Sequence, residues 1–123
     1  MTIGQRLTQL LGAQGAQNVV GDLNTGLTAA GTTQATALAL TAVNNVVTTA
    51  AAYSGVILPV TPSVAAADRL HVANLTANPM IVYPPSGGKL NTGSTNTGAI
   101  LAPGKTGDFV CIDGTNYTAL LSV

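Results

Sequence analysis

Gly104-Lys105-Thr106 is the stretch of this chain that comes nearest to a chemical motif. A phosphate-binding loop needs Gly-x-x-x-x-Gly-Lys-[Ser/Thr] opening a helix, so that backbone N–H groups cradle the phosphates. The first glycine would have to be residue 99, which is Ala99; Gly98 is one place off, and Pro103 removes an N–H from the cradle. Gly107-Asp108-Phe109-Val110 then reads as a strand rather than a helix. The context points away from nucleotide binding.

The other reactive groups are few and scattered. Cys111 is the lone cysteine, so no intrachain disulfide can form. It sits in the apolar run Phe109-Val110-Cys111-Ile112, which predicts a small buried core residue rather than a nucleophile. His71 is the lone histidine and shares a strand face with Arg69, so an exposed or hydrogen-bonded role is expected for it. A glycosidase needs two facing carboxylates. Asp22, Asp68, Asp108 and Asp113 are isolated from one another, and most stand beside turns, where aspartate stabilises the backbone. No clustered ligand set suggests a metal. These residues predict no catalytic site, no cofactor and no metal.

Composition narrows the partners. Charged residues make up 7% of the 123 residues, against about 25% in a typical soluble protein. The hydrophobic fraction of 46% is ordinary, so Thr, Asn, Ala, Gly and Ser replace the charged coat. Formal net charge is +0, and a low, balanced charge favours self-association. Arg6, Arg69, Lys89 and Lys105 are too dispersed to form the basic patch that nucleic acid requires. No secretory signal is recognisable at the start, and no segment approaches the roughly 20 apolar residues of a spanning helix, so no membrane partner is expected.

Two regions would position these residues. Ile3, Leu7, Leu10 and Leu11 fall at i, i+4, i+7 and i+8, one stripe of a short amphipathic helix. A helix this short is marginal alone in water, so its stripe must dock on another surface. Residues 12–34, rich in Gly, Gln, Asn and Thr, read as an extended arm or linker. From about Ala35 the period becomes two. About eight short strands follow, with turns expected at Asn44-Asn45, Tyr53-Ser54-Gly55, Asn78-Pro79, Pro84-Pro85, Pro103-Gly104 and Asp113-Gly114-Thr115-Asn116. The expected fold is all-β, an antiparallel β-sandwich or a jelly-roll or barrel, with a short N-terminal helix and arm. Residues 1–25 form the arm and 26–123 the β-domain. Met80-Ile81-Val82-Tyr83 is apolar on both faces, so its second face should be covered by another sheet or another subunit. That need, with so little charge, predicts a homo-oligomer of closed symmetry.

The segment Gly26 to Leu40 followed by Asn45-Val46-Val47-Thr48-Thr49 resembles a module of virion proteins from tailed bacteriophages. So do the run Met80 to Asn91 and Leu101-Ala102-Pro103-Gly104-Lys105 before a final strand pair. The likeness covers about residues 26–123 and rests on turns and strand patterns. It implies a small β-structured capsid decoration (cement) protein, made in the host cytoplasm and carried on the virion's capsid surface. Such proteins are typically trimers seated on the major capsid protein, with no catalytic residue to carry over. A tail or head fibre module binding a host surface glycan is the alternative. Four aromatic residues, Tyr53, Tyr83, Phe109 and Tyr117, make a thin sugar platform.

Overall fold

A computed structural model describes residues 22–123. The stripe of Ile3, Leu7, Leu10 and Leu11 and the expected N-terminal helix lie outside the described residues.

Nine strands and one 3-10 turn make up the regular structure of the described residues. They are β1 (Leu23–Thr28), β2 (Leu38–Ala39), β3 (Asn44–Thr49), β4 (Gly55–Ile57), β5 (Arg69–Asn74), β6 (Met80–Tyr83), β7 (Ala99–Leu101), β8 (Thr106–Cys111) and β9 (Tyr117–Leu121), with the 3-10 turn at Gln34–Thr36. The all-β expectation holds. Two mixed sheets form, ordered β1-β3-β5-β8-β9 and β2-β4-β6-β7. In the first, β1, β3 and β5 run parallel, and β8 and β9 continue antiparallel. In the second, β2, β4 and β6 run parallel and β7 is antiparallel. The chain therefore alternates between sheets for six strands, three successive parallel coils, before β7, β8 and β9 finish both sheets.

That winding corrects the antiparallel expectation. Only β5–β8–β9 and β6–β7 pair antiparallel. The expected turn at Asn44-Asn45 is instead the start of β3. Asn45 is wholly buried, and its Nδ2 donates to the carbonyls of Ala42 (2.9 Å) and His71 (3.3 Å). A carboxamide that bonds to the neighbouring coil stabilises a strand here rather than a turn. The stretch read as a linker contains β1, whose pairing with β3 slips register twice around Gly26 and Leu27. The Asp113 hairpin, by contrast, lies where expected, between β8 and β9.

One hydrophobic cluster serves both sheets. The first contributes Val47, Leu70, Val72, Phe109, Cys111 and Tyr117. The second contributes Val56, Met80, Val82 and Leu101. Alternation then sends the intervening side chains outward. Part of the second sheet's outer face is covered by the chain itself. Tyr83 is buried there, donating to the Thr32 carbonyl (3.4 Å) and lying where a Cβ on Gly55 would approach its ring to 2.6 Å. Gly55 exchanges backbone hydrogen bonds with Ala30 at 3.0 and 3.1 Å.

Polar side chains complete the backbone bonding where the chain changes sheet. Asn74, wholly buried at the end of β5, donates to the carbonyls of Asn78 and Leu101, both at 2.9 Å. Its Oδ1 accepts the Thr76 N–H (3.0 Å) and hydroxyl (2.8 Å). Tyr117 donates its hydroxyl to the Pro59 carbonyl, and burial is the main cause that raises its phenol above the ordinary range. At the β9 edge, Asn91 Nδ2 donates to the Ala119 carbonyl (3.0 Å), and its Oδ1 accepts the Ala119 N–H (2.8 Å). Asn91 N–H bonds the Tyr117 carbonyl at 2.9 Å, and Lys89 C=O accepts from Tyr117 N–H at 3.0 Å.

Replacing Asn74 by Ala leaves buried carbonyls without donors and is expected to cost about 3 kcal/mol. Urea unfolding should move to a lower midpoint with an unchanged slope. The Asp113 carboxyl accepts from the N–H of Asn116 (2.8 Å), from Asn116 Nδ2 (2.9 Å) and from the Thr115 N–H (3.1 Å). Bonds from Asn116, backbone first and then side chain, hold its pKa below the ordinary carboxylate value. Because the folded value is the lower one, the turn's contribution is present above the unfolded pKa of about 3.9 and is lost as pH falls through the folded value. A carbon-detected NMR titration should give Asp113 a midpoint below that of an unstructured aspartate, and Asn116→Ala should raise it.

Candidate functional site

The polar chemistry gathers on the outer face of the five-stranded sheet. Leu70 and Val72 of β5 point into the core, so Arg69 and His71 face outward. On β8 the same alternation sends Gly107, Phe109 and Cys111 inward and Asp108 outward. The antiparallel register sets His71 opposite Asp108, and Nδ1 of the imidazole lies 2.8 Å from Oδ1 of the carboxylate. Both side chains remain accessible, at 39% and 62%. The carboxylate favours the tautomer that carries its proton on Nδ1, which leaves Nε2 as an acceptor toward solvent. Asn44 and Leu120 flank the pair in register. Such a dyad can take a proton from a bound group, but neither flanking residue is a nucleophile.

The other candidates separate. Cys111 is 1% exposed on the inner face, across the sheet from His71, and its Sγ accepts the Gly114 N–H at 3.0 Å. The two cannot act as a pair. Gly104 forms a turn with φ of 72°, with Lys105 N–H bonded to the Ala102 carbonyl (3.1 Å), and Thr106 already belongs to β8. No helix follows, so no phosphate cradle forms there. Asp22, Asp68 and Asp113 each accept backbone N–H groups, as residues beside turns should. Asp108 lies within β8, as the reading of Gly107-Asp108-Phe109-Val110 as a strand expected. Among the described residues no group of three or more His, Cys, Asp or Glu could hold a metal. No helix among them is long and apolar enough to cross a membrane.

A cleft of about 490 Å³ is lined by residues that include Leu40 to Val43 and Ala67 to Leu70, and by neither His71 nor Asp108. Leu40, Ala42, Val64 and Leu70 form its floor, and Asp68 and Arg69 stand at its rim. Asp68 Oδ2 accepts the Ala65 N–H at 2.9 Å. The size falls within the range of about 300–1,000 Å³ that encloses small ligands. Neither the dyad nor the cleft was foreseeable as a unit from the sequence, since both depend on contacts between distant segments. Alternation in Arg69-Leu70-His71-Val72 was the available signal, and it put His71 outward without identifying its partner. No family model, curated protein or solved structure matches this chain.

The burial of Cys111 gives a direct check. Reaction of the native protein with an aromatic disulfide reagent should be slow, at least about 100-fold below the rate in denaturant, because the thiol is reached only through opening of the fold.

Proposed function

We propose that this chain is a structural protein of a tailed-phage virion, a decoration (cement) protein that binds the head shell as a trimer. It acts by adhesion, without catalysis, cofactor or metal. The observation that carries the reading is the outer face of the four-stranded sheet. Ala39, Ile57, Ile81 and Ile100 remain at least partly exposed there, beside the covered Gly55 and Tyr83, and no charged side chain stands among them. Ile81 and Ile100 are directly paired, and Ile100 is 58% exposed. A sheet face of this kind is a favourable surface for another protein.

In this reading the two sheets are the leaves of a small β-sandwich, and neighbouring copies cover the apolar face in a closed three-fold ring. The stripe of Ile3, Leu7, Leu10 and Leu11 supplies the contact with the major capsid protein. Burying each such side chain is worth roughly 1.5–3 kcal/mol before ordering costs, and three arms acting together multiply the hold. The weak charge suits contacts that are apolar and backbone-mediated, and it supports the resemblance in the strand and turn patterns.

Multi-angle light scattering at micromolar concentration should give three times the 12.2 kDa chain mass. Mixed with undecorated phage heads, the full chain should pellet with the shells. Removal of residues 1–21 should abolish pelleting while leaving the melting temperature unchanged. A monomer that ignores shells overturns the proposal, as does a trimer found only at the tail.

A further inference from the structure

The β2–β3 connection and the segment that runs from Pro59 into β5 enclose the cleft of about 490 Å³. Its floor is apolar. Leu40, Ala42, Val64 and Leu70 come from separate stretches of the chain, and each is buried. Its lip is held in a fixed shape. Ala67, which lines it, has a φ of 76°, a left-handed conformation that alanine adopts only at a cost. Two backbone hydrogen bonds keep the lip there, from Ala67 N–H to the Cys111 carbonyl and from Cys111 N–H to the Asp68 carbonyl, both 2.8 Å. Strain of this kind persists where the surroundings over-determine it, and it gathers at ligand clamps.

Two opposite charges stand open on that lip. Asp68 and Arg69 both line the cleft and are exposed, and among the described residues neither makes an ion pair. Asp68 Oδ2 accepts the Ala65 N–H at 2.9 Å, and Oδ1 has no bond among the described residues. A second carboxylate is close by, since Asp22 Oδ1 accepts the N–H of Val43, another lining residue, at 2.8 Å. These charges select the ligand. A plain apolar anion would meet Arg69 but also two carboxylates. A plain apolar amine would suit the carboxylates and face the guanidinium. An apolar body that carries one ammonium and one carboxylate answers both signs at once.

We propose that the cleft binds a free apolar α-amino acid, with its side chain on the floor, its α-carboxylate toward Arg69 and its α-ammonium toward Asp68. Guanidinium and carboxylate meet through two parallel N–H···O bonds, which fixes the direction of the ligand. The rim is open to water, so its ion pairs set selectivity more than affinity, and burial of the side chain supplies most of the hold. A dissociation constant on the order of 1 mM follows. This site is independent of the decoration reading: it shares no residue with the apolar outer face of the four-stranded sheet, and the ligand binds or fails to bind whatever the protein assembles with.

The test follows the backbone amide signals of the full chain by NMR as one of three probes with the same ring is added. They are L-phenylalanine, phenylpropanoate, which lacks the ammonium, and phenethylamine, which lacks the carboxylate. L-phenylalanine is expected to shift the amides of Val43, Val64, Ala67 and Leu70 and to bind about fivefold more tightly than either partial probe. Arg69→Gln should weaken L-phenylalanine about fivefold and leave phenethylamine unchanged. Asp68→Asn, which keeps an acceptor for the Ala65 N–H, should weaken L-phenylalanine and phenethylamine alike. Absence of any shift at these amides with about 20 mM L-phenylalanine overturns the proposal. So do shifts confined to other residues. In the wild-type chain, equal or tighter binding of either partial probe also overturns it, because the hollow would then read apolar bulk or a single charge.

Discussion

The buried carboxamide of Asn74 stands where three crossings of the chain converge. It closes the turn into β6 through Thr76 and Asn78, and it reaches the carbonyl of Leu101 at the end of β7. Its own backbone bonds Gly104 and Lys105, where the chain passes into β8. A fold that alternates between two sheets exposes unpaired carbonyls and N–H groups at every passage, and an apolar core cannot satisfy them. Asn74 supplies donors and acceptors at the most crowded passage. Asn45 supplies donors alone, to the carbonyls of Ala42 and His71, while its Oδ1 is buried without a partner among the described residues; the Tyr117 hydroxyl ties β9 to the segment that follows β4. The core residues fill the space between the sheets, but these polar groups decide which segments can lie side by side.

That division explains what could be read from the sequence. Local signals were legible. Proline ended β6, Asp113-Gly114 made the final hairpin, and the apolar run around Cys111 put the thiol inside. Eight of the nine strands were anticipated, and β1 was lost in a stretch whose Gly, Thr and Asn content suggests a linker. Parallel winding was not legible because the coils are unequal. Leu23 pairs with Asn44, 21 residues on, and Asn44 pairs with His71, 27 residues on. Insertions in the connections erase the repeat that would announce such an architecture. The same non-local register brings His71 to Asp108, a pairing that no spacing rule contains. Asn44-Asn45 misled for a related reason: an asparagine pair favours a turn by local propensity, and tertiary hydrogen bonds overrode it.

Scarcity of charge shapes the surface in two ways. It leaves the outer face of the four-stranded sheet free of any ion, with Ile81 and Ile100 side by side. It also concentrates the polar chemistry at few places, of which the His71–Asp108 pair and the neighbouring rim of Asp68 and Arg69 are the densest. The apolar face and the polar cluster lie on different sheets. The two surfaces therefore differ in character.

The hold of Asn91 on β9 has a colloidal consequence. A chain with no formal net charge has no long-range repulsion to keep copies apart, and an open sheet edge would recruit them one after another into a growing ladder. The Asn91 carboxamide occupies both hydrogen-bonding groups of Ala119, and its backbone, with that of Lys89, occupies those of Tyr117. Along that stretch the edge is already answered by the chain's own atoms. Steric occupation there does what charge does on most soluble proteins, and it works at any ionic strength.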